Sequence, residues 1–194
     1  HLTIEAEGKS WQEFTRMKPE ALTTADLIIS TMGTWLHESE LNAAVLESRS
    51  FTPILYGWTE QHAAAGHAVA LMDQTACLRC LTDDLGALRI PVTSWSVDTM
   101  KQIPACGGSF QPYGAIALEH TIALIADVAL EVLAEEIDAS THRVWISPRR
   151  ALERAGGYWN PEWVKANFDP GDGGRILELS IASDPRCPAC RTKT

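Results

Sequence analysis

Ala76-Cys77-Leu78-Arg79-Cys80-Leu81, in the middle of the chain, and Cys187-Pro188-Ala189-Cys190, almost at its end, are the stretches on which the fold turns. A two-residue gap lets both thiolates of a tight turn point at one ion, and two such turns supply the four soft ligands of a closed tetrahedral zinc site. A site assembled from Cys77, Cys80, Cys187 and Cys190 clasps the end of the chain to its middle. The same spacing also serves independent redox pairs or disulfides. Four thiolates fill zinc's coordination sphere and leave no position for substrate or water, so a metal held this way keeps shape and does no chemistry.

Upstream of the first pair, His67-Ala68-Val69-Ala70-Leu71-Met72 reads as an apolar strand that delivers the chain to Cys77. Before it come two further strand runs. Ala25-Asp26-Leu27-Ile28-Ile29-Ser30 has the character of a strand buried on both faces, and Pro53-Ile54-Leu55-Tyr56-Gly57-Trp58 is the next. Between them, Thr31-Met32-Gly33-Thr34 enters a helix in which Leu36, Leu41, Ala44 and Val45 share one face. A helix between two strands is the usual crossover for parallel neighbours. Ahead of this unit, Trp11, Phe14 and Met17 stand at helical spacing in a segment that Pro19 stops.

Downstream, residues 82–112 lose periodicity and collect Gly86, Pro91, Pro104, Gly107, Gly108 and Pro112, the marks of a long loop of the functional or mobile kind, with the fifth cysteine, Cys106, inside it. A long helix is expected over 115–136, with Ile116, Ala123, Leu124, Val128 and Leu133 toward the core. Val144-Trp145-Ile146-Ser147 reads as a strand, residues 148–155 as a short helix opened by proline, and Gly156-Gly157 as its end. Asp169-Pro170-Gly171-Asp172-Gly173-Gly174 is a turn or an exposed loop. Arg175-Ile176-Leu177-Glu178-Leu179-Ser180-Ile181 alternates like a half-solvated strand and runs into the second cysteine pair.

At 194 residues the chain suffices for one compact domain with a sizeable core. Its formal charge of -9 and lack of a basic tract exclude a surface for a phosphate backbone, so no nucleic-acid partner is expected. The longest apolar stretch, 121–133, is interrupted by Asp127 and Glu131 and is too short for a bilayer, so no membrane partner is expected either. His1-Leu2-Thr3-Ile4-Glu5 has neither the basic nor the apolar region of a secretory signal, and five cysteines in two pairs plus one suit a reducing compartment. The expected location is cytoplasmic.

The order of these pieces resembles the carboxyl-terminal half of an E1-like adenylating domain, the ThiF/MoeB/ubiquitin-activating family. The segment from Asp26 through Thr34 and Trp35, followed by Leu41-Asn42, resembles the family's strand, turn and helix ending in asparagine. The two cysteine pairs resemble its zinc pairs, and Pro104-Ala105-Cys106-Gly107, followed by Tyr113-Gly114-Ala115, resembles the catalytic-cysteine loop of thioester-forming members. The match covers about 26–190, with 1–25 as a lead-in segment, and is similar to bacterial E1-like domains of the kind fused to E2-like domains in antiphage operons. The resemblance implies an α/β fold, part of a Rossmann-like E1/ThiF sheet with helices, closed by a four-cysteine zinc clasp.

It further implies that ATP and Mg2+ serve the full-length enzyme, that a ubiquitin-like or other protein with a free carboxyl terminus is the substrate, that an E2-like protein accepts the product, and that the protein is a homodimer. Two departures accompany it. No GxGxxG occurs, so the chain has the look of a fragment. Gly33 and Thr34, the positions expected to border the nucleotide, stand where many members carry a magnesium-binding Asp. Either another residue holds that metal or this copy adenylates poorly.

Cys106 is the candidate nucleophile. It is the unpaired cysteine, it lies among glycine and proline, and it precedes a long helix whose N-terminus stabilises negative charge. A free cysteine is otherwise often a small buried hydrophobe. Arg79 stands between two thiolates as a charge balance or a solvated side chain. His62 and His67 with Glu60 are poorly spaced for an open metal site, Glu119 and His120 suit capping or exposure, and Trp145, Trp159 and Trp163 suit a core. Ser94, Ser96 and Asp98 lack a nucleophile-elbow motif. A zinc-stapled module that binds without catalysis, and an activator of a sulfur carrier, are the alternatives.

Overall fold

A computed structural model describes residues 3–48, 50–102 and 109–190. Helix α1 (Trp11–Met17) opens with a capping box, Ser10 Oγ accepting from the Glu13 amide while the Glu13 carboxylate accepts from the Ser10 amide. It ends two residues before Pro19, and α2 (Ala21–Thr24) follows. Strand β1 (Ile28–Ser30), helix α3 (Trp35–Glu47) and strand β2 (Ile54–Thr59) form the expected unit, with β1 and β2 parallel. A short 3-10 turn (Gln61–Ala63) reverses the chain into β3 (Ala65–Leu71), antiparallel to β2 and buried along its whole length. Helix α4 (Leu78–Leu81) starts at Cys77.

The stretch expected to be loop contains β4 (Thr93–Trp95), β5 (Lys101–Gln102) and β6 (Ser109–Phe110). Then come α5 (Ala115–Leu133), β7 (Thr141–Ile146), α6 (Arg149–Arg154), β8 (Gly157–Trp159), α7 (Pro161–Ala166) and β9 (Arg175–Ser180). The main sheet is five-stranded and mixed, in the order β1-β2-β3-β7-β9, with one parallel pair and antiparallel pairing elsewhere. Strands β4 and β8 pair separately, as do β5 and β6. This mixed α/β architecture is the part of the expected fold class that the structure shows.

Strand periodicity sorts the core into layers. Ile54, Tyr56, Val69 and Leu71 pack with Leu41 and Val45 of α3 and with Leu78. Leu55, Ala68 and Ala70, pointing the other way, pack with Leu124, Val128, Ala129 and Val132 of α5. Helix α5 approaches β2 and β3 closely because glycine faces it: a Cβ at Gly57 would collide with Ile125 Cδ1, and one at Gly66 would collide with Thr121 Oγ1. At the far end, Val144, Ile146, Leu152, Trp159 and Trp163 form a further cluster.

Several expected core positions lie outside it. Ile29 is 51% exposed because β1 is an edge strand, so it is not buried on both faces. Leu36 in α3, and Ile116, Ala123 and Leu133 in α5, are exposed. Helix α5 is apolar around most of its circumference, and only the stripe through Leu124, Val128 and Val132 meets the sheet. Trp145 packs on the α5 side, apart from Trp159 and Trp163. No helix of the described residues is long and apolar enough to cross a membrane.

Candidate metal centre and adjoining cleft

The two cysteine turns meet. Cys77 Sγ lies 3.6 Å from Cys187 Sγ, Cys80 Sγ lies 3.5 Å from Cys190 Sγ, and all four sulfurs fall within 4.8 Å of one another. All four are free thiols. Zinc at about 2.3 Å from four thiolates sets tetrahedron edges of about 3.8 Å, so these residues fit a four-thiolate zinc site of structural type. The first turn is closed by the Cys80 amide, which donates to the Cys77 carbonyl at 2.9 Å, and a turn leading into the second pair is closed by the Cys187 amide, which donates to the Asp184 carbonyl at 3.0 Å.

Cys77, Cys80 and Cys187 are buried against Leu46 and Ala76. Burial, with Cys80 and Cys187 beside it, pushes the Cys77 thiol up to about 12, and burial likewise raises Cys190. Burial acts upward on Cys187 too, but backbone N–H groups of Cys190 and Ala189 outweigh it and lower that thiol. A divalent cation supplies the compensation that such a group of buried sulfurs requires in thiolate form. Arg79, between the two cysteines of the first pair, forms an ion pair with the exposed Asp84 at 2.6 Å.

The clasp is bound to the sheet through α3. Asn42 Oδ1, buried, accepts from the Leu78 amide at 3.0 Å, which fixes the residue after Cys77. Leu78 and Thr82 also form one wall of a cleft of about 840 Å³. The cleft opens where β1 and β2 end, the end of a parallel pair at which open α/β sheets place ligands. Thr31 and Gly33 border it after β1, Trp58 and Thr59 at the end of β2, and Trp35 and Glu38 from the first turn of α3. Leu118, Thr121, Ile122 and Ile125 of α5 close the opposite side.

Gly33, with φ +65°, lies at this rim and its amide donates to Glu38 Oε1 at 3.3 Å. Thr34 caps α3 by backbone position, without a side-chain cap bond. Ser30 Oγ also donates to Glu38 Oε1, at 3.4 Å, while burial holds the Glu38 carboxyl above its ordinary range. Trp35 donates from Nε1 to the Asp84 carbonyl at 3.0 Å, and its ring lies against Gly86, where a Cβ would come within 2.5 Å. A second cavity of about 450 Å³ shares Trp58, Thr59, Gly86 and Ala87 with the first and reaches Trp95, Gln111 and Tyr113.

A polar chain that sequence reasoning missed runs behind this second cavity. Glu60, buried, accepts from the Val92 amide at 2.7 Å, the Thr93 amide at 2.9 Å and Thr93 Oγ1 at 2.6 Å. Its Oε1 is 3.1 Å from His67 Nε2, and His67 Nδ1 is 2.9 Å from His142 Nε2. Trp58 stacks on His67 at 4.9 Å between ring centroids. His62 takes no part; it has φ 57° and its ring lies over Trp95. The fully apolar surroundings of His67 in β3 gave the one signal available, because a buried polar group must be hydrogen-bonded.

The other candidates are dispersed. Glu119 and His120 are exposed, His120 stacking on Trp145 at 4.0 Å. Ser96 Oγ donates to the Gly156 carbonyl beside the β4–β8 pair, and Asp98 accepts from the Met100 amide in a local turn. Cys106 lies outside the described residues. No protein-family model and no curated protein matches the chain.

Proposed function

We propose that the chain is the carboxyl-terminal half of an E1-like activating enzyme. In the whole protein, a carboxylate oxygen at the end of a ubiquitin-like or other protein attacks the α-phosphorus of magnesium-bound ATP, and pyrophosphate leaves. The Cys106 thiolate then attacks the acyl carbon, AMP leaves, and the thioester passes to an E2-like partner. Splitting one hard transfer into two easier ones is what a nucleophilic cysteine contributes. Zinc in the clasp shapes the site and takes no part in the chemistry.

The observation that carries this reading is the shared wall: Leu78, adjoining a cluster cysteine, lines a cleft at the carboxyl ends of a parallel strand pair, beside Gly33 and the start of α3. A cytoplasmic setting keeps all five thiols reduced. The outer face of α5, where Ile116, Leu130 and Leu133 are exposed, is the surface we assign to the homodimer.

A second reading, a zinc-stapled binding module without catalysis, is favoured by one feature: among the described residues, the cleft lining contains no Lys, Arg or His to meet phosphate. The deciding experiment supplies the upstream half of such a domain with ATP, magnesium and a candidate carrier. A thiol-sensitive adduct on a non-reducing gel, lost in Cys106→Ala while pyrophosphate exchange persists, supports activation. Absence of exchange in the intact protein supports the binding module, and an adduct bearing persulfide sulfur supports a sulfur-carrier activator.

A further inference from the structure

The smaller cavity, of about 450 Å³, is walled by three aromatic side chains: Trp58 at the end of β2, Trp95 in β4 and Tyr113 ahead of α5. Its volume falls in the range of small-ligand sites. Among the described residues that line it, Glu60 is the only acid, and no Lys, Arg or His takes part. The face of an aromatic ring is electrostatically negative, and a cation held against it away from water gains more than an exposed one.

Both indoles are held in place. Trp58 stacks on His67 at 4.9 Å between centroids, and His67 is bonded to Glu60 and His142. Trp95 lies against the His62 ring at 4.8 Å and donates from Nε1 to Thr93 Oγ1 at 3.2 Å. Neither histidine lines the cavity, so each indole offers it the surface that its histidine leaves free. The turn that carries His62 is strained, since His62 and Ala63 have φ of 57° and 50° without being glycine. Tyr113 is 56% exposed, which leaves the cavity open to solvent on its side.

Glu60 decides which cation suits the site. A carboxylate has about four lone-pair sites. Four donors fill them here: the Val92 amide and His67 Nε2 at Oε1, the Thr93 amide and Thr93 Oγ1 at Oε2. Burial acts to raise this carboxyl, but the bonds, that of His67 foremost, prevail and keep it ionised. A primary ammonium that sheds water here finds no lone pair of Glu60 to replace it. A quaternary ammonium has no N–H to satisfy and uses only the carboxylate's charge and the ring surfaces.

We propose that this cavity binds a quaternary ammonium group, caged by Trp58, Trp95 and Tyr113 beside the buried carboxylate of Glu60. The group is a free trimethylalkylammonium of the choline type or the head of a trimethylated lysine in another protein, and the cage meets the same chemistry in both. Such binding is independent of the cysteine cluster and of any activation of a carboxylate.

The test titrates the zinc-loaded 194-residue chain by calorimetry with choline and with its uncharged isostere, in which a quaternary carbon replaces the nitrogen. A merely apolar cavity prefers the isostere, whereas the cage is expected to bind choline at least about tenfold more tightly. A second arm compares one heptapeptide with a central lysine, trimethylated or unmodified. Methylation-dependent peptide binding assigns the site to a modified protein, and choline binding without it assigns the site to a free small molecule.

Tyr113→Leu and Trp95→Leu are each expected to weaken choline by about threefold to tenfold, with circular dichroism and zinc content unchanged. Glu60→Gln shrinks choline's advantage over the isostere, but it also strands buried donors, so the two ring variants decide. Equal or tighter binding of the isostere, a choline affinity unchanged in both ring variants, or no binding of either choline or the trimethyllysine peptide to the folded chain overturns the proposal.

Discussion

The sulfurs of Cys77 and Cys187 lie 3.6 Å apart although 110 positions separate the residues in the chain. Closing so long a loop is entropically costly, and the metal's binding energy offsets that cost only in the folded state. Cys187→Ser is therefore expected to lose zinc and to destabilise the chain by more than about 4 kcal/mol, the range reserved for lost metal sites and similar defects. Zinc content and thermal denaturation of the variant check this.

Asn42 is expected to matter almost as much locally. Its side-chain carbonyl holds the Leu78 amide in a buried setting, so Asn42→Ala leaves that donor unpaired. The expected loss is about 1–3 kcal/mol, together with weaker zinc retention in a chelator competition, because the orphaned amide is in the turn that presents Cys77.

Glycine against α5 gives a graded prediction. Gly66→Ala drives a methyl into Thr121 Oγ1 and places it 2.7 Å from Thr121 Cβ, close to the helix backbone, whereas Gly57→Ala meets first the Cδ1 tip of Ile125. A flexible tip yields more readily than a β-branched side chain at its root. Gly66→Ala should cost about 1–3 kcal/mol and Gly57→Ala less, and Thr121→Ala should partly rescue the former. Chemical denaturation of the two single variants and the Gly66/Thr121 pair measures the coupling.

Acid stability follows from the buried Glu60–His67–His142 chain. Burial, and then the neighbouring His67, depress His142 from 6.5 to about 3, so between those values the unfolded chain binds a proton that the folded chain refuses. Stability attributable to this group is intact above about pH 6.5 and declines as pH falls toward 3, by at most roughly 1.4 kcal/mol per pH unit. Burial acts to raise Glu60, but its bonds from His67, Thr93 and Val92 prevail and lower it, so its contribution is lost in the same direction, below the ordinary carboxylate range. Urea midpoints between about pH 7.5 and 4 should fall, and His142→Gln should flatten the upper part of that decline.

The cysteine spacing made the clasp legible, because C-x-x-C states both residue type and local geometry. The crossover from β1 through α3 to β2 was legible from apolar runs separated by a helix-length segment. Helix α5 was legible in extent but not in orientation: Ile116, Ala123 and Leu133 resemble Leu124 and Val128 in the sequence, and a helix apolar all round gives no phase. Glu60 and His67 were visible as neighbours, yet the third member, His142, comes from β7 and meets His67 through strand pairing of β3 with β7. Long-range register of that kind leaves no local pattern.

The clasp is measured most directly by native mass spectrometry of the intact chain, before and after chelation. One zinc per chain is expected, with all four cluster thiols protected from alkylation while the metal is bound and reactive, with loss of the folded signal, once it is removed. A folded chain that binds no zinc, or that carries a Cys77–Cys80 or Cys187–Cys190 disulfide under reducing conditions, contradicts it.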